Sequence, residues 1–325
     1  MHDKSHTLLK RPFGGTGLLV SPLTFGAWSI GGPAEMGGKQ IGWVGVDNDA
    51  SIDAVKAACD AGVNLFDTAD VYGRGHSERL LGRALAGVRD KVLISSKAGM
   101  VDNADGFKLD FSRKHLLEAC EGSLKRLNTD YLDVYLLHMV TDGYPLNDDI
   151  RATLDHLKQQ GKIRHYGVSV QFPHQGMEQL DRRFGDVMMI EYSPLKRAGV
   201  EDVLVRAHDL GVGVITRGAL EKGLLTGTYA PGHRFDPRDV RSRIPPEQID
   251  RVLSGVAELK AQAQSEGWSL LGMAMAFQLA HPGCSTITVG LKTRRQAEEI
   301  VAALGERHSY DFDSIVAMLK GAVRA

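Results

Sequence analysis

Little in this 325-residue chain assigns it at once, and each shortage excludes something. It has only three cysteines, Cys59, Cys120 and Cys284. An odd number, widely spaced, makes neither a disulfide framework nor a zinc site, and the surrounding segments read as helix, helix and loop, where a thiol is a small packing group. Its twelve histidines include no H-x-H or H-x-x-H pair, so a metal would find no local nucleus. The formal net charge is -1, with 39 Lys and Arg scattered among 40 Asp and Glu, and no basic stripe offers itself to a phosphate backbone. No apolar run approaches the ~18 residues of a membrane span, and "MHDKSHTLLKRPF" lacks the apolar core of a signal peptide. The expectation is a cytoplasmic, soluble protein that binds no nucleic acid, membrane or metal.

What is present is alternation. Short runs rich in Val, Ile, Leu and Phe, at 23–29, 63–69, 91–98, 131–139, 163–170, 187–193, 211–218 and 285–291, predict eight strands. Several are apolar at consecutive positions, as strands buried on both faces of a parallel sheet are. Between them lie amphipathic helices. In "SRKHLLEACEGSLKRLN" Leu117, Cys120, Leu124 and Leu127 recur at intervals of three and four behind Ser112 as a cap, and Ile150, Leu154 and Leu157 repeat the design. Eight strand-plus-helix units without a Pro-, Gly- or Ser-rich linker predict one α/β domain over 1–325, a closed (β/α)8 TIM barrel, with an open doubly wound sheet as the alternative.

Three additions decorate the barrel. "LLKRPFGGTGLLV" reads as an N-terminal β-hairpin that plugs the floor; no helix follows its glycines, so they make a turn and not a phosphate loop. The segment from Glu221 to about Gly267, after strand seven, is too long for a connector and predicts a lid. "YDFDSIVAMLKGAVRA" predicts an extra C-terminal helix that packs Ile315, Leu319 and Val323 inward.

In such barrels the chemistry sits at the C-terminal ends of the strands. Asp67 ends strand two, Tyr72 follows it in the stretch "NLFDTADVYGRGHSE", Lys97 ends strand three and His138 ends strand four. Taken singly, Asp67, Lys97 and His138 read as a turn cap, a surface lysine and a satisfied core histidine. Together they fit proton delivery to a carbonyl oxygen that is gaining negative charge. Asp67 orients Lys97, the Lys97 ammonium favours loss of the proton from the Tyr72 phenol, and His138 donates to the developing alkoxide.

"DTADVYGRGHSERLLGRAL", "SSKAG", "YLDVYLLH", "GKIRHYGVS", "EYSPL" and "RGALEKGLLTG", in this order, resemble the aldo-keto reductase superfamily in a bacterial branch, from about Leu9 to Ala303. The resemblance implies that Asp67, Tyr72, Lys97 and His138 are a catalytic tetrad, with Tyr72 the general acid for NADPH-dependent (NADH as the alternative) reduction of a small polar, sugar-like aldehyde or ketone. It implies that Ser169 meets the carboxamide and Tyr192 stacks on the nicotinamide, with Trp28, Asp67, Ser193, Leu195, Arg217, Gly218 and Gly290 nearby. It places Leu220, Gly223 and Leu224 on the pyrophosphate, Lys292 and Thr293 on the 2′-phosphate, and Gln296 and Glu299 near the adenine. The chain departs from the pattern with Val170 in place of Asn, Met189 in place of Gln and Ile300 in place of Asn. Three lost amides at ~1 kcal/mol each would weaken the nucleotide. They motivate a second reading, a non-redox isomerase or lyase that uses the same tyrosine, lysine and histidine on a carbonyl substrate. The rim loops that carry Trp28, Trp43, Met100, Phe107 and Tyr144 set substrate choice, and neither the substrate nor the oligomeric state is written in them.

Overall fold

The computed structural model describes residues 8–104, 106–144 and 146–305. The expected C-terminal helix lies outside them. Eight strands, β1 (Leu23–Gly26), β2 (Leu65–Asp67), β3 (Leu93–Ala98), β4 (Leu132–Val140), β5 (Ile163–Val170), β6 (Val187–Glu191), β7 (Gly213–Arg217) and β8 (Thr286–Gly290), form a closed barrel in sequential order. All eight neighbouring pairs are parallel. The helices are α1 (Asn48–Asp60), α2 (His76–Ala84), α3 (Arg113–Leu127), α4 (Asp148–Gln159), α5 (Pro173–Asp181), α6 (Val200–Asp209), α7 (Pro246–Ser265), α8 (Leu270–Ala280) and α9 (Arg294–Leu304). The α7 helix belongs to the insertion after β7, so the lid stands where the sequence places it. Ser112 caps α3 as expected, its hydroxyl accepting from His115 N, although Leu116 rather than Leu117 is the fully buried residue of that turn.

Strand pleat decides which residues can meet. Leu65, Val134, Leu136, Val187, Met189 and Ile215 form the cluster inside the barrel, whereas Phe66, Tyr135, Leu137, Met188, Ile190 and Val214 belong to the larger core between strands and helices. Successive side chains face opposite sides, so the parity of a residue fixes its surroundings. The N-terminal hairpin, Arg11–Pro12 paired with Leu19–Val20, drives Phe13 into the inner cluster as a plug. Gly14 is needed there: its φ is +54°, and a Cβ would fall 2.4 Å from Gly213 N.

Two further hairpins, Glu35–Met36 with Lys39–Gln40 and Met100–Asn103 with Gly106–Leu109, rise from the loops after β1 and β3. Arg74 ties them together by donating from Nη2 to Glu35 O (2.9 Å) and to Asp102 Oδ2 (2.6 Å).

Candidate active site

Parity brings one polar residue from each of six successive strands to the inner side of the C-terminal mouth. Asp67, His138, Glu191 and Arg217 are each two residues beyond an inward-facing residue, Leu65, Leu136, Met189 and Ile215, and Lys97 and Ser169 share that orientation through their register with Leu136 and His138. Tyr72 reaches the same place from the loop between β2 and α2. That loop closes on itself through Tyr72 N to Ala69 O (3.1 Å) and is held to β3 through Asp70 N to Lys97 O (3.1 Å).

In the half of the mouth built by β2 to β4, Asp67 and Lys97 are buried and tightly partnered, and the half-buried rings of Tyr72 and His138 lie over them. Lys97, with no exposed surface, donates from Nζ to Asp67 Oδ2 (2.6 Å) and to Thr68 O (2.7 Å). Its Nζ lies 5.1 Å from the centre of the Tyr72 ring. The His138 ring meets that of Tyr72 edge-on at 5.7 Å, and Trp28 flanks Tyr72 at 6.3 Å between centroids. Burial disfavours the Lys97 ammonium, but Asp67 and Tyr72 together more than offset it and raise its pKa. Lys97 therefore stays charged. Removal from water is also the main influence on Tyr72, and it raises the hydroxyl above its ordinary value despite the opposing ammonium. The sequence reading has Lys97 drawing the phenol toward phenolate; here burial wins, and Tyr72 holds its proton at neutral pH. Burial first, then the charges of Lys97 and Arg217, push His138 well below the usual imidazole range. His138 is thus neutral, and its Nδ1 is buried without a hydrogen-bond partner. Beside the relay, burial and then Glu78 push Asp70 up to about 7.

The other half, from β5 through β8 and the lid, is a knot of exchangeable ion pairs. Glu191 Oε1 takes Lys196 Nζ (2.8 Å) while its Oε2 lies 3.5 Å from Arg217 Nη1. Lys196 also reaches Glu221 (3.2 Å), and Ser193 Oγ donates to Glu221 Oε1 (2.5 Å). Arg217 Nη2 donates to Val170 O (3.2 Å). Gly218 tolerates φ +74° and leaves room for Glu191, whose Cγ would lie 2.9 Å from a Cβ. In the lid, Glu221, Lys222 and Gly223 are successive left-handed residues with φ of 46°, 55° and 88°. Backbone outliers of this kind persist at ligand clamps. The donor set fits a dinucleotide: strained lid backbone, axis-facing Ser169 and Arg217, and Lys292 and Thr293 at the start of α9.

Several expected contacts read differently in three dimensions. Tyr192 does not face the mouth: it lies on the outward parity of β6, is fully buried 5.1 Å from Phe277, and donates its hydroxyl to Glu201 Oε1 (3.2 Å). It is a packing residue, and the inward position beside it is Glu191. Val170 is likewise buried in the outer core, so an Asn there would not reach a ligand in the mouth, whereas Met189 faces the axis. The side chains of Leu195 and Leu220 pack on the main core and that of Leu224 on the lid's own cluster, which leaves their backbone alone to meet a ligand. Thr293 Oγ1 caps α9 by accepting from Gln296 N (3.3 Å), and Gln296 Oε1 accepts from Lys292 N (2.8 Å). Glu299 pairs with Arg295 (3.0 Å) on the exposed face of α9. Gly290 ends β8 next to Ser29, and Ile300 is buried. Sequence reasoning missed Glu191, Lys196 and Glu221; inward parity counted from Val187 was the available signal for Glu191.

The comparisons agree with this geometry. The model of the Aldo/keto reductase family matches residues 22–320. Aldo-keto reductase YhdN of Bacillus subtilis (strain 168) is 32% identical over 300 residues, 89% of this chain and 87% of that protein. NADH-specific methylglyoxal reductase of Escherichia coli (strain K12) is 30% identical over 312 residues, 91% and 93% of the two chains. The holo form of aldo-keto reductase AKR11C1 from Bacillus halodurans has a TM-score of 0.79 at 28% identity, covering 97% of this chain and 98% of that one. Sequence match and barrel topology reach the same answer separately: the chain belongs to the aldo/keto reductase family.

Proposed function

We propose that the chain is a nicotinamide-dependent oxidoreductase that reduces a small, polar, sugar-like aldehyde or ketone. The observation that carries this reading is a buried, hydrogen-bonded Lys97–Asp67 pair beneath a protonated phenol and a neutral imidazole at one mouth of the barrel. When bound, NADPH or NADH supplies the hydride that the carbonyl carbon accepts. Tyr72 gives its proton to the carbonyl oxygen, and the Lys97 ammonium stabilises the phenolate left behind. Asp67 keeps that ammonium charged and aimed in a site where water cannot. His138, uncharged, has a ring N–H to donate to the carbonyl oxygen and so orients it without competing for the proton. Trp28 walls the pocket beside Tyr72. Ser169, Arg217, Gly218, the backbone of Leu220 to Leu224, Gly290, Lys292 and Thr293 are the groups that would hold the nucleotide. Both readings use the same relay; the groups available to hold a nucleotide and the likeness to reductases such as the methylglyoxal enzyme favour reduction over an isomerase or lyase reading.

Titration of nicotinamide fluorescence with NADPH and NADH, followed by turnover of small aldehydes such as methylglyoxal, tests the proposal. Micromolar binding of at least one nucleotide and its oxidation by an aldehyde are expected. Absence of binding of both at millimolar concentration would sink it.

A further inference from the structure

The lid carries a cation that the proton relay does not use. Arg241, only 13% exposed, lies 4.1 Å from the Phe235 ring and 5.2 Å from the Tyr229 ring, both in the lid, and 5.4 Å from the ring of Trp43 in the loop after β1. Lys292 Nζ lies 5.0 Å from the same Trp43 ring and donates to Val44 O (3.2 Å). Two cations from different parts of the chain thus converge on one indole, next to the start of α9. A pair of cations so placed would suit a phosphate monoester, but four of the five N–H donors of Arg241, including its fork, are already taken. Asp239 takes its fork side-on, Oδ1 accepting from Nε (2.9 Å) and Oδ2 from Nη2 (2.7 Å). The remaining Nη1 donates to Tyr229 Oη (3.1 Å) and Lys222 O (3.3 Å). Asp239 is itself 11% exposed and close enough to Lys292 for the lysine charge to act on it.

The geometry points to Asp239 as a specificity-determining residue: its carboxylate occupies the guanidinium fork that a ribose 2′-phosphate would claim, so that NADH is accepted alongside NADPH. This rests on the proposed nucleotide site with Lys292 at its adenosine end. A side-on carboxylate and a phosphate make the same bidentate pattern with arginine, so the two compete for one partner. NADH lacks the phosphate and does not enter the contest. Of the two cations at Trp43, Lys292 is left to favour NADPH, with one of its contacts committed to Val44 O.

Equilibrium titration of both nucleotides on the wild type, Asp239→Asn, Asp239→Glu and Lys292→Met decides the matter. The wild type is expected to bind the two within about tenfold of each other, since the phosphate meets one free cation. Asp239→Asn should tighten NADPH by about tenfold and change NADH by less than about twofold, because it removes a charge competitor and keeps the side chain's size. Asp239→Glu, which keeps the charge, should retain the wild-type ratio, and Lys292→Met should weaken NADPH selectively. Equal changes for both nucleotides in Asp239→Asn, including equal losses from a disturbed lid, would overturn the inference, as would an unchanged NADPH affinity. Failure of the wild type to bind either nucleotide would instead defeat the oxidoreductase reading, and this inference with it.

Discussion

The two halves of the barrel mouth hold their charges in opposite ways. Between β2 and β4 a single ion pair, Lys97 with Asp67, is shut away from water, and among the described residues neither partner has an alternative of opposite charge within hydrogen-bonding reach. Between β5 and the lid, Glu191, Glu221, Lys196 and Arg217 share partners, and exposure of their side chains runs from 10% to 48%. A buried pair with one solution fixes the position of a reacting atom. A half-wet network with several solutions tolerates rearrangement when an anionic ligand arrives. The difference matches the tasks proposed for the two halves: proton transfer needs placement within a fraction of an ångström, whereas nucleotide binding draws on many weak contacts.

Substitutions should expose the contrast. Tyr72→Phe removes one hydroxyl from the rigid half and is expected to lower kcat by about 10²–10⁴, the usual share of a general acid. Lys97→Met should cost about 3–5 kcal/mol in chemical denaturation, because it leaves the Asp67 carboxylate buried without its partner. Glu191→Ala, in the network half, should change stability by less than about 1 kcal/mol. A loss as large as that of Lys97→Met would erase the distinction between the halves. Met189→Gln, on the inward parity of β6, should tighten nucleotide binding, while Val170→Asn should cost about 1–3 kcal/mol by burying an amide in the outer core and bring no gain in affinity. The smallest effect expected is a pH dependence. Asp70 binds its proton more tightly in the fold, with a pKa raised from 3.8 to about 7, so its protonation supports the folded state in acid and that support is lost as pH rises between those values. Asp70→Asn should therefore be more stable than the wild type at pH 8, with the advantage shrinking as pH falls. Parallel stability curves in the two proteins would contradict this.

The same contrast explains what the sequence disclosed. Eight strands were legible because burial on both faces leaves a plain apolar signature, and the lid was legible from its length. Asp67, Lys97 and His138 were legible as strand-end residues because the rule that sites lie at the C-terminal ends needs only one-dimensional position. Tyr192 was misread because Glu191 and Tyr192 both sit at that end and only the parity of β6, counted from inward Val187, separates mouth from core. The partial burial of Tyr72, which outweighs the Lys97 ammonium, depends on packing by Trp28 and His138 from other units and leaves no local trace. Nor could composition show that Asp239 and not a ligand fills the Arg241 fork, since exchangeable partners share one alphabet of charges.

The most direct test is a side-by-side measurement of wild type and Tyr72→Phe: nucleotide affinity by fluorescence and steady-state oxidation of NADPH and NADH with a panel of small aldehydes. Equal affinities are expected in the two proteins, with turnover confined to the wild type to within at least about a hundredfold. Comparable turnover in both would show that the phenol is not the proton donor and that the chemistry lies elsewhere in the barrel.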